Sequence, residues 1–335
     1  MQNCEYKPIL KNLDKYGEIK LSLGATIDEK NKVAREDPRT GISSRHFGNY
    51  WYYLGEDKVI FKSFECMENT KPNRIVNELL FYEISKQVGI DCAKCKLASI
   101  NGIKGIASYN VLNKDELLIT GSVLKYRVGD YEYNNNTIKS YYKALKELKS
   151  KGYIVNIKKE ILNLYKICLI DELTLHTDRH SENIQFIKNT KTKEIKLSPI
   201  FDNEFAFCAF NLDNTVKDFR TIDFDIAKSL YSSSGNLLLV NKIESGVLKY
   251  DRIKNDLVVF ANKNKPAKEV LVNILKNIDI QSAIKNVEDM GITISDDYKD
   301  LVKMITGESV KEFEHTIDAL QNVVKNKMKY DIQKL

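Results

Sequence analysis

The hydrophobic period of this sequence changes once along its length, and that change limits the architectures open to it. Between Asn49 and Tyr109 the apolar residues fall in short β-branched and aromatic runs, whereas from Ile138 onward they recur every three to four positions. Strands first and helices afterwards imply an α+β fold, with a sheet-rich part and a mainly helical part kept separate. Asn49–Leu54 and Lys58–Phe64, parted by Gly55-Glu56-Asp57, read as a hairpin. A helix starting near Asn73 carries Ile75, Val76, Leu79, Leu80 and Val88 on its apolar side, and Gly89 suits its C-terminal cap. Lys96–Ile100 and Gly105–Tyr109 form two more strands, turned at Asn101-Gly102.

In the second part, Ile138, Tyr141, Tyr142, Leu145 and Leu148 make one helix face, and Ile161, Leu164, Tyr165, Cys168 and Leu169 another. Short strands over Ile184–Ile187 and Ile195–Phe201 interrupt the helices. After about Phe224 nearly everything reads as helix. In the last one Ser309 and Glu312 read as a capping box ahead of the stripe Val310, Phe313, Ile317, Leu320 and Val324. The junction falls near 115–130, dividing the chain into 1–120 and 121–335.

Composition narrows the class further. With 43 % hydrophobic and 29 % charged residues over 335 positions, a sizeable core is affordable and a disordered or fibrous chain is excluded. The net charge of +6 is spread along the whole length, and nothing resembles a helix-turn-helix reader, so no direct nucleic-acid partner is expected. No run approaches the roughly 18 apolar residues of a membrane span, and the start MQNCEYKPIL lacks a secretory pattern. The 6 scattered cysteines are not a disulfide framework, which points to a reducing, cytoplasmic setting, with export by a route without a signal left open.

The chemistry concentrates in His176-Thr177-Asp178-Arg179-His180-Ser181-Glu182-Asn183, between an apolar helix and a strand. Asp178 and Asn183 have the separation of the catalytic Asp and the metal-binding Asn of a kinase catalytic loop. A carboxylate there can take the proton of an attacking hydroxyl while an amide oxygen holds Mg²⁺. A second carboxylate should follow one strand later, and Ser198-Pro199-Ile200-Phe201-Asp202 supplies it. Lys62 shares a strand face with Ile60 and Phe64, so its ammonium leaves from an apolar side toward an anionic ligand rather than a core partner. A helix carboxylate would orient it, Glu78 first and Glu83 as the alternative.

These segments resemble the HipA-like serine/threonine kinases. Ile170-Asp171-Glu172-Leu173, Thr177 to Asn183 and Leu197 to Asn203 resemble that family's catalytic core, and Asn77-Glu78-Leu79-Leu80, Val88-Gly89-Ile90 and Ile60-Phe61-Lys62 its front lobe. The resemblance covers about 40–215, is nearest the short, stand-alone members of the CtkA type, and implies a two-lobed protein-kinase-like fold, β-rich in the N-lobe and helical in the C-lobe. It implies ATP and Mg²⁺ as cofactors, Asp178 as catalytic base, Asn183 and Asp202 as metal ligands, Lys62 on the ATP phosphates with Glu78 beside it, and a protein Ser/Thr substrate. It further implies a toxin or effector setting with an antitoxin-like regulatory partner. Ser43 and Ser44 lie in the only candidate phosphate loop, Thr40–Gly48, where autophosphorylation would fall. The sequence departs from the family pattern in lacking a clean glycine-rich loop and in having Glu204 where Gly is frequent.

Other readings remain at this point. The catalytic loop is similar to that of phosphatidylinositol kinases, so a lipid kinase is one alternative, and a non-catalytic regulator binding a partner protein is another. His176 and His180 could bind a transition metal for hydrolysis, although His180 reads better as bracing Asp178 or Asp202 within the cofactor site. Cys92 and Cys95 read as two ordinary thiols and Asp171 as a buried acceptor holding the catalytic loop.

Overall fold

In a computed structural model the chain is described over 17–18, 36–37, 42–43, 50–54, 57–63, 73–100, 103–126, 136–208, 219–232 and 249–332. The first part comprises β1 (Gly17–Glu18), β2 (Glu36–Asp37), β3 (Ile42–Ser43), β4 (Tyr50–Leu54), β5 (Asp57–Ser63), α1 (Asn73–Val88), β6 (Cys95–Ile100) and β7 (Ile103–Tyr109). Five of these strands form a sheet in the order β1-β6-β7-β5-β4. β4 and β5 are the expected hairpin, Trp51 opposite Ile60, and β6 and β7 another, Leu97 opposite Ile106. The turns at 55–56 and 101–102 lie outside the described residues. β5 pairs antiparallel with β7, which sets Lys62 opposite Ile106 in mid-sheet.

α1 ends at Gly89, whose φ of +67° is the left-handed conformation a C-terminal cap requires. The helix is buried on nearly every side, with Ile75, Val76, Leu79, Leu80, Phe81 and Ile84 all 2 % exposed or less. A helix so placed needs no polar face, which is why its polar residues Asn77, Glu78 and Glu83 are buried too.

The second part begins with β8 (Glu116–Thr120), α2 (Gly121–Tyr126), α3 (Ile138–Ser150), β9 (Ile154–Val155), α4 (Ile157–Leu173), β10 (Gln185–Asn189) and β11 (Glu194–Leu197). Its sheet runs β8-β10-β11-β9. The strand expected over Ile195–Phe201 stops at Leu197, because Pro199 has no N–H for a ladder. The chain instead pairs with the segment after α1: Ile200 N–H donates to the Asp91 carbonyl at 2.9 Å, and Ala93 N–H to the Ile200 carbonyl at 2.8 Å. That pairing sets Ile200 beside the segment after α1, and further on the chain reaches Glu78 of α1, whose Oε2 accepts Asn203 N–H.

A 3-10 turn (Phe219–Thr221) and α5 (Phe224–Ser232), α6 (Lys249–Lys263), α7 (Lys265–Asn277), α8 (Ile280–Asp289) and α9 (Asp296–Ile332) complete the described elements. α4 is the centre of this part: Ile167 to Leu173 are all buried, and α3, α6, α7 and α9 pack on it. The capping box at Ser309 and Glu312 is not formed. α9 runs unbroken from Asp296, Ser309 is buried in its interior, and Ser295 Oγ caps the start by accepting from Tyr298 N–H. The apolar stripe explains the difference, since it continues upstream through Leu301, Val302 and Ile305, all buried with Phe313. Burying each such side chain is worth about 1.5–3 kcal/mol, against roughly 1 kcal/mol for carrying Gly307 within the helix. Among the described residues no helix is long and apolar enough to cross a membrane.

Candidate active site

α4 delivers the candidate catalytic loop through a tight reversal. Leu175 N–H bonds the Glu172 carbonyl at 3.3 Å and His176 N–H the Asp171 carbonyl at 2.8 Å, with Leu175 at φ +43°. This is a Schellman-type end with leucine where glycine is usual, a strain of roughly 1 kcal/mol. The loop then pairs with the one bearing Asp202. Thr177 N–H and Oγ1 both donate to the Phe205 carbonyl at 3.1 Å, Phe207 N–H to the Thr174 carbonyl at 2.6 Å, and Cys208 N–H to the Leu175 carbonyl at 3.1 Å. Asp202, Phe207 and Cys208 sit at φ +60°, +56° and +56°. Left-handed backbone at three non-glycine residues persists only where the surroundings over-determine it.

Asp178 and Asn183 face one another. Asn183 Nδ2 donates to the Asp178 carbonyl at 2.7 Å and to its Oδ2 at 3.1 Å, and His180 Nε2 lies 3.4 Å from Oδ1. Burial pushes the Asp178 carboxyl up; His180 opposes the shift and the Asp202 charge adds to it. The carboxylate is nevertheless 32 % exposed, so an incoming hydroxyl can reach it. His176 is fully buried and its Nδ1 accepts the Asp178 N–H at 3.3 Å. Among the described residues no group of three or more His, Cys, Asp and Glu is arranged to hold a metal.

Between the two aspartates stands Arg179, fully buried. Its Nε and Nη2 meet Asp171 Oδ2 and Oδ1 at 3.0 and 3.1 Å, and Nη2 also donates to Asn203 Oδ1 at 2.7 Å. Asp171 is therefore the buried acceptor that the sequence suggests, and Arg179 ties the loop of Asp178 to that of Asp202.

Lys62, 7 % exposed, comes from the sheet to meet the loop of Asp202. Its Nζ lies 2.7 Å from Asp202 Oδ1, 3.3 Å from Glu78 Oε2 and 3.9 Å from Glu204 Oε2. Glu78, the helix carboxylate expected beside Lys62, is joined by Asp202 and Glu204, which the sequence reading did not place at it; a buried ammonium unpaired with carboxylates would be strongly penalised, and the fold surrounds it with three. Burial would lower the Lys62 pKa, but Asp202, Glu78 and Glu204 together raise it well above the ordinary value. Burial would likewise raise Asp202, and the Lys62 charge and hydrogen bond hold it below the carboxylate range instead. Glu204, opposed by Lys62 but backed by Asp202 and Glu78, is pushed by burial up to about 7.

Of the two candidate helix carboxylates, Glu78 is the one at Lys62; Glu83 takes Lys86 at 2.6 Å and Asn286 at 3.0 Å. Ser43 is in β3, opposite Glu36, and Ser44 with most of the Thr40–Gly48 loop lies outside the described residues. Cys92 and Cys95 are free thiols, Cys92 pushed up to about 12 by burial. Sequence reasoning gave no role to Arg179, Asn203 or Asn77, the last of which donates from Nδ2 to the carbonyls of Glu204 and Ala206. The available signal for Asn77 was a polar pair, Asn77-Glu78, within the apolar run 75–80.

The oxygens suit a hard divalent cation. The Asn183 side chain bonds the Asp178 carbonyl and Oδ2 through Nδ2, which leaves its Oδ1 to serve as an amide oxygen ligand, and the Asp202 carboxylate is 38 % exposed while holding Lys62 through Oδ1. Amide and carboxylate oxygens are the ligands Mg²⁺ takes, alongside phosphate and water.

The sequence matches no protein-family model and no curated protein. The solved structure of the Helicobacter pylori proinflammatory kinase CtkA superposes with a TM-score of 0.62 at 15 % identity, over 87 % of this chain and 97 % of that one. The HipA of Shewanella oneidensis MR-1, from a toxin–antitoxin complex with HipB and operator DNA, gives 0.45 at 13 % identity, over 78 % of this chain and 58 % of that one. The chain has the kinase-like fold of CtkA.

Proposed function

We propose that this protein is an ATP- and Mg²⁺-dependent phosphotransferase, a HipA-like kinase that modifies serine or threonine on a protein. The observation that carries the reading is the meeting of Lys62, Glu78 and Asp202 within 3.3 Å of one ammonium, next to the hydrogen-bonded pair Asp178 and Asn183. Three elements far apart in sequence converge there, and each brings the residue type that phosphoryl transfer uses at that place.

In this reading Asp178 accepts the proton of the acceptor hydroxyl, and burial, by raising its proton affinity, makes it a stronger base. Asn183 Oδ1 and the Asp202 carboxylate would hold Mg²⁺, which when bound neutralises phosphate charge. Lys62 would turn its ammonium to the ATP phosphates while Glu78 keeps it aimed. His180 braces Asp178. The same proposal divides the chain into an N-lobe over 1–120 and a C-lobe over 121–335, although β8, counted in the first, pairs with β10 in the sheet of the second, so the sheets part ahead of Glu116. An antitoxin-like partner belongs to the proposal through the sequence resemblance.

Incubation with γ-labelled ATP and Mg²⁺, alone and with lysate, tests it: label is expected on protein serine or threonine. Label on lipid would favour the lipid-kinase reading. Nucleotide binding with no transfer would favour the regulator.

A further inference from the structure

We propose that Asn77, with Tyr298 of α9 behind it, is a positioning residue for the loop that carries Asp202, so that the C-terminal helices set the geometry of the metal-binding site. The functional consequence rests on the phosphotransferase reading; the positioning itself does not.

Asn77 and Glu78 are consecutive, fully buried, and both bond to the same loop. Glu78 Oε2 accepts Asn203 N–H at 2.8 Å, while Asn77 Nδ2 donates to the Glu204 carbonyl at 3.2 Å and the Ala206 carbonyl at 2.9 Å. Successive helix residues point about 100° apart, so the pair straddles the loop instead of touching it at one place. The loop has φ +60° at Asp202 and +56° at Phe207 and Cys208, conformations that need such external bonds to persist.

The orientation of the Asn77 amide is chemically fixed. Two carbonyl oxygens can only accept, so Nδ2 must face them and Oδ1 must face the other way. There Oδ1 accepts the hydroxyl proton of Tyr298, which is 1 % exposed. The tyrosine thereby selects the amide rotamer that holds the loop. Further along, Gln87 exchanges two bonds with the backbone of Asp279, at 2.9 and 2.8 Å, and Asn286 donates to Glu83 at 3.0 Å. α1 is thus tied to α8 and α9 along its length.

Amide hydrogen exchange on the full chain, free of nucleotide and metal, tests the positioning directly. Tyr298→Phe removes one hydroxyl and Asn77→Ala removes three bonds. Exchange over 203–208 should rise several-fold in the first and about tenfold or more in the second, the scale expected for losing one or more buried hydrogen bonds. α6 should be unchanged. Equal exchange in wild type and Tyr298→Phe, or a rise spread evenly over the chain, overturns the proposal; this variant decides the matter should Asn77→Ala fail to fold. A second arm titrates Mg²⁺ against a non-hydrolysable ATP analogue. The Mg²⁺ needed for half-saturation should rise about fivefold in Tyr298→Phe, with metal-free nucleotide affinity unaltered. A wild-type chain that binds no nucleotide would end the phosphotransferase reading while the exchange arm still decides the role of Asn77. An unchanged Mg²⁺ requirement in a binding-competent variant overturns the link between Asn77 and the metal site.

Discussion

Replacing Asp171 by Asn probes the ion pair on which both loops hang. Arg179 is fully buried, and its neutralising charge comes from Asp171 through bonds of 3.0 and 3.1 Å. An asparagine keeps one oxygen for the guanidinium but removes the charge, and breaking a buried pair from one side costs about 3–5 kcal/mol. The retained oxygen and the Asn203 bond at 2.7 Å place the expected loss at the lower end, about 3 kcal/mol. With roughly 2.1 cal/mol/K of unfolding entropy per residue, the 335 residues give about 0.7 kcal/mol/K, so the melting point should fall by about 4 °C. Removing both charges should be milder than removing one: Asp171→Asn with Arg179→Met should recover much of the loss, since no isolated charge then remains buried. Urea unfolding of wild type, the two single variants and the double variant in metal-free buffer closes the cycle. The reasoning fails if Asp171→Asn lies within about 0.5 kcal/mol of wild type, the range of an ordinary surface substitution, or if the two single losses simply add.

The two aspartates of the proposed active site should separate by calorimetry: Asp178→Asn should keep Mg²⁺–nucleotide affinity within about 1 kcal/mol while transfer falls about 10²–10⁴-fold. Asp202→Asn should lose the Mg²⁺-dependent part of that affinity, with raised Mg²⁺ or Mn²⁺ restoring some of it; identical behaviour of the two variants refutes the division of roles. Lys62→Met should abolish measurable transfer and also destabilise the chain by about 2–3 kcal/mol, less than a fully buried pair because Asp202 is 38 % exposed; a variant as stable as wild type would show that the three carboxylates do not depend on it. Glu204→Gln is checked by urea unfolding without metal across pH. A carboxyl raised from 4.5 to about 7 binds a proton in the folded chain that the unfolded chain has released, so wild-type stability should fall as pH rises through that window and level off above it. The glutamine variant should lack this slope and exceed wild type by about 3 kcal/mol at pH 8, from 1.36 kcal/mol per unit; parallel pH profiles would refute it.

What the sequence disclosed about the fold was whatever is encoded locally. Gly89 marks the end of α1 because only its own φ of +67° matters, and the β4–β5 and β6–β7 hairpins follow from turn residues between β-branched runs. Ser309 and Glu312 misled for the same reason. A capping box is a four-residue pattern, and four residues do not reveal that the stripe they precede has already begun at Leu301. Pro199 did carry the information that the strand before Asp202 must stop, since a missing N–H is a local fact.

The candidate site divides along the same line. That Asp178 and Asn183 meet was legible from their spacing within one loop, and that Glu78 meets a cation from a carboxylate inside an apolar run; their proposed roles rest on the residue types that phosphoryl transfer uses at such spacings. Arg179, Asn203 and Asn77 act through partners that no spacing rule relates to them: Asn77 reaches carbonyls 127 and 129 positions away and Tyr298 221 positions away. Their identity follows from the loop they hold. Asp202 is left-handed, so the segment after it offers carbonyls to α1 and an amide side chain to Arg179 instead of joining a sheet. Those buried groups must be satisfied, and the satisfying residues come from the two segments already fixed there, α1 and the loop that follows α4. Asn77 and Arg179 are the consequence: the strained loop that presents Asp202 requires one donor from each side, and the chain places an amide on one and a guanidinium on the other.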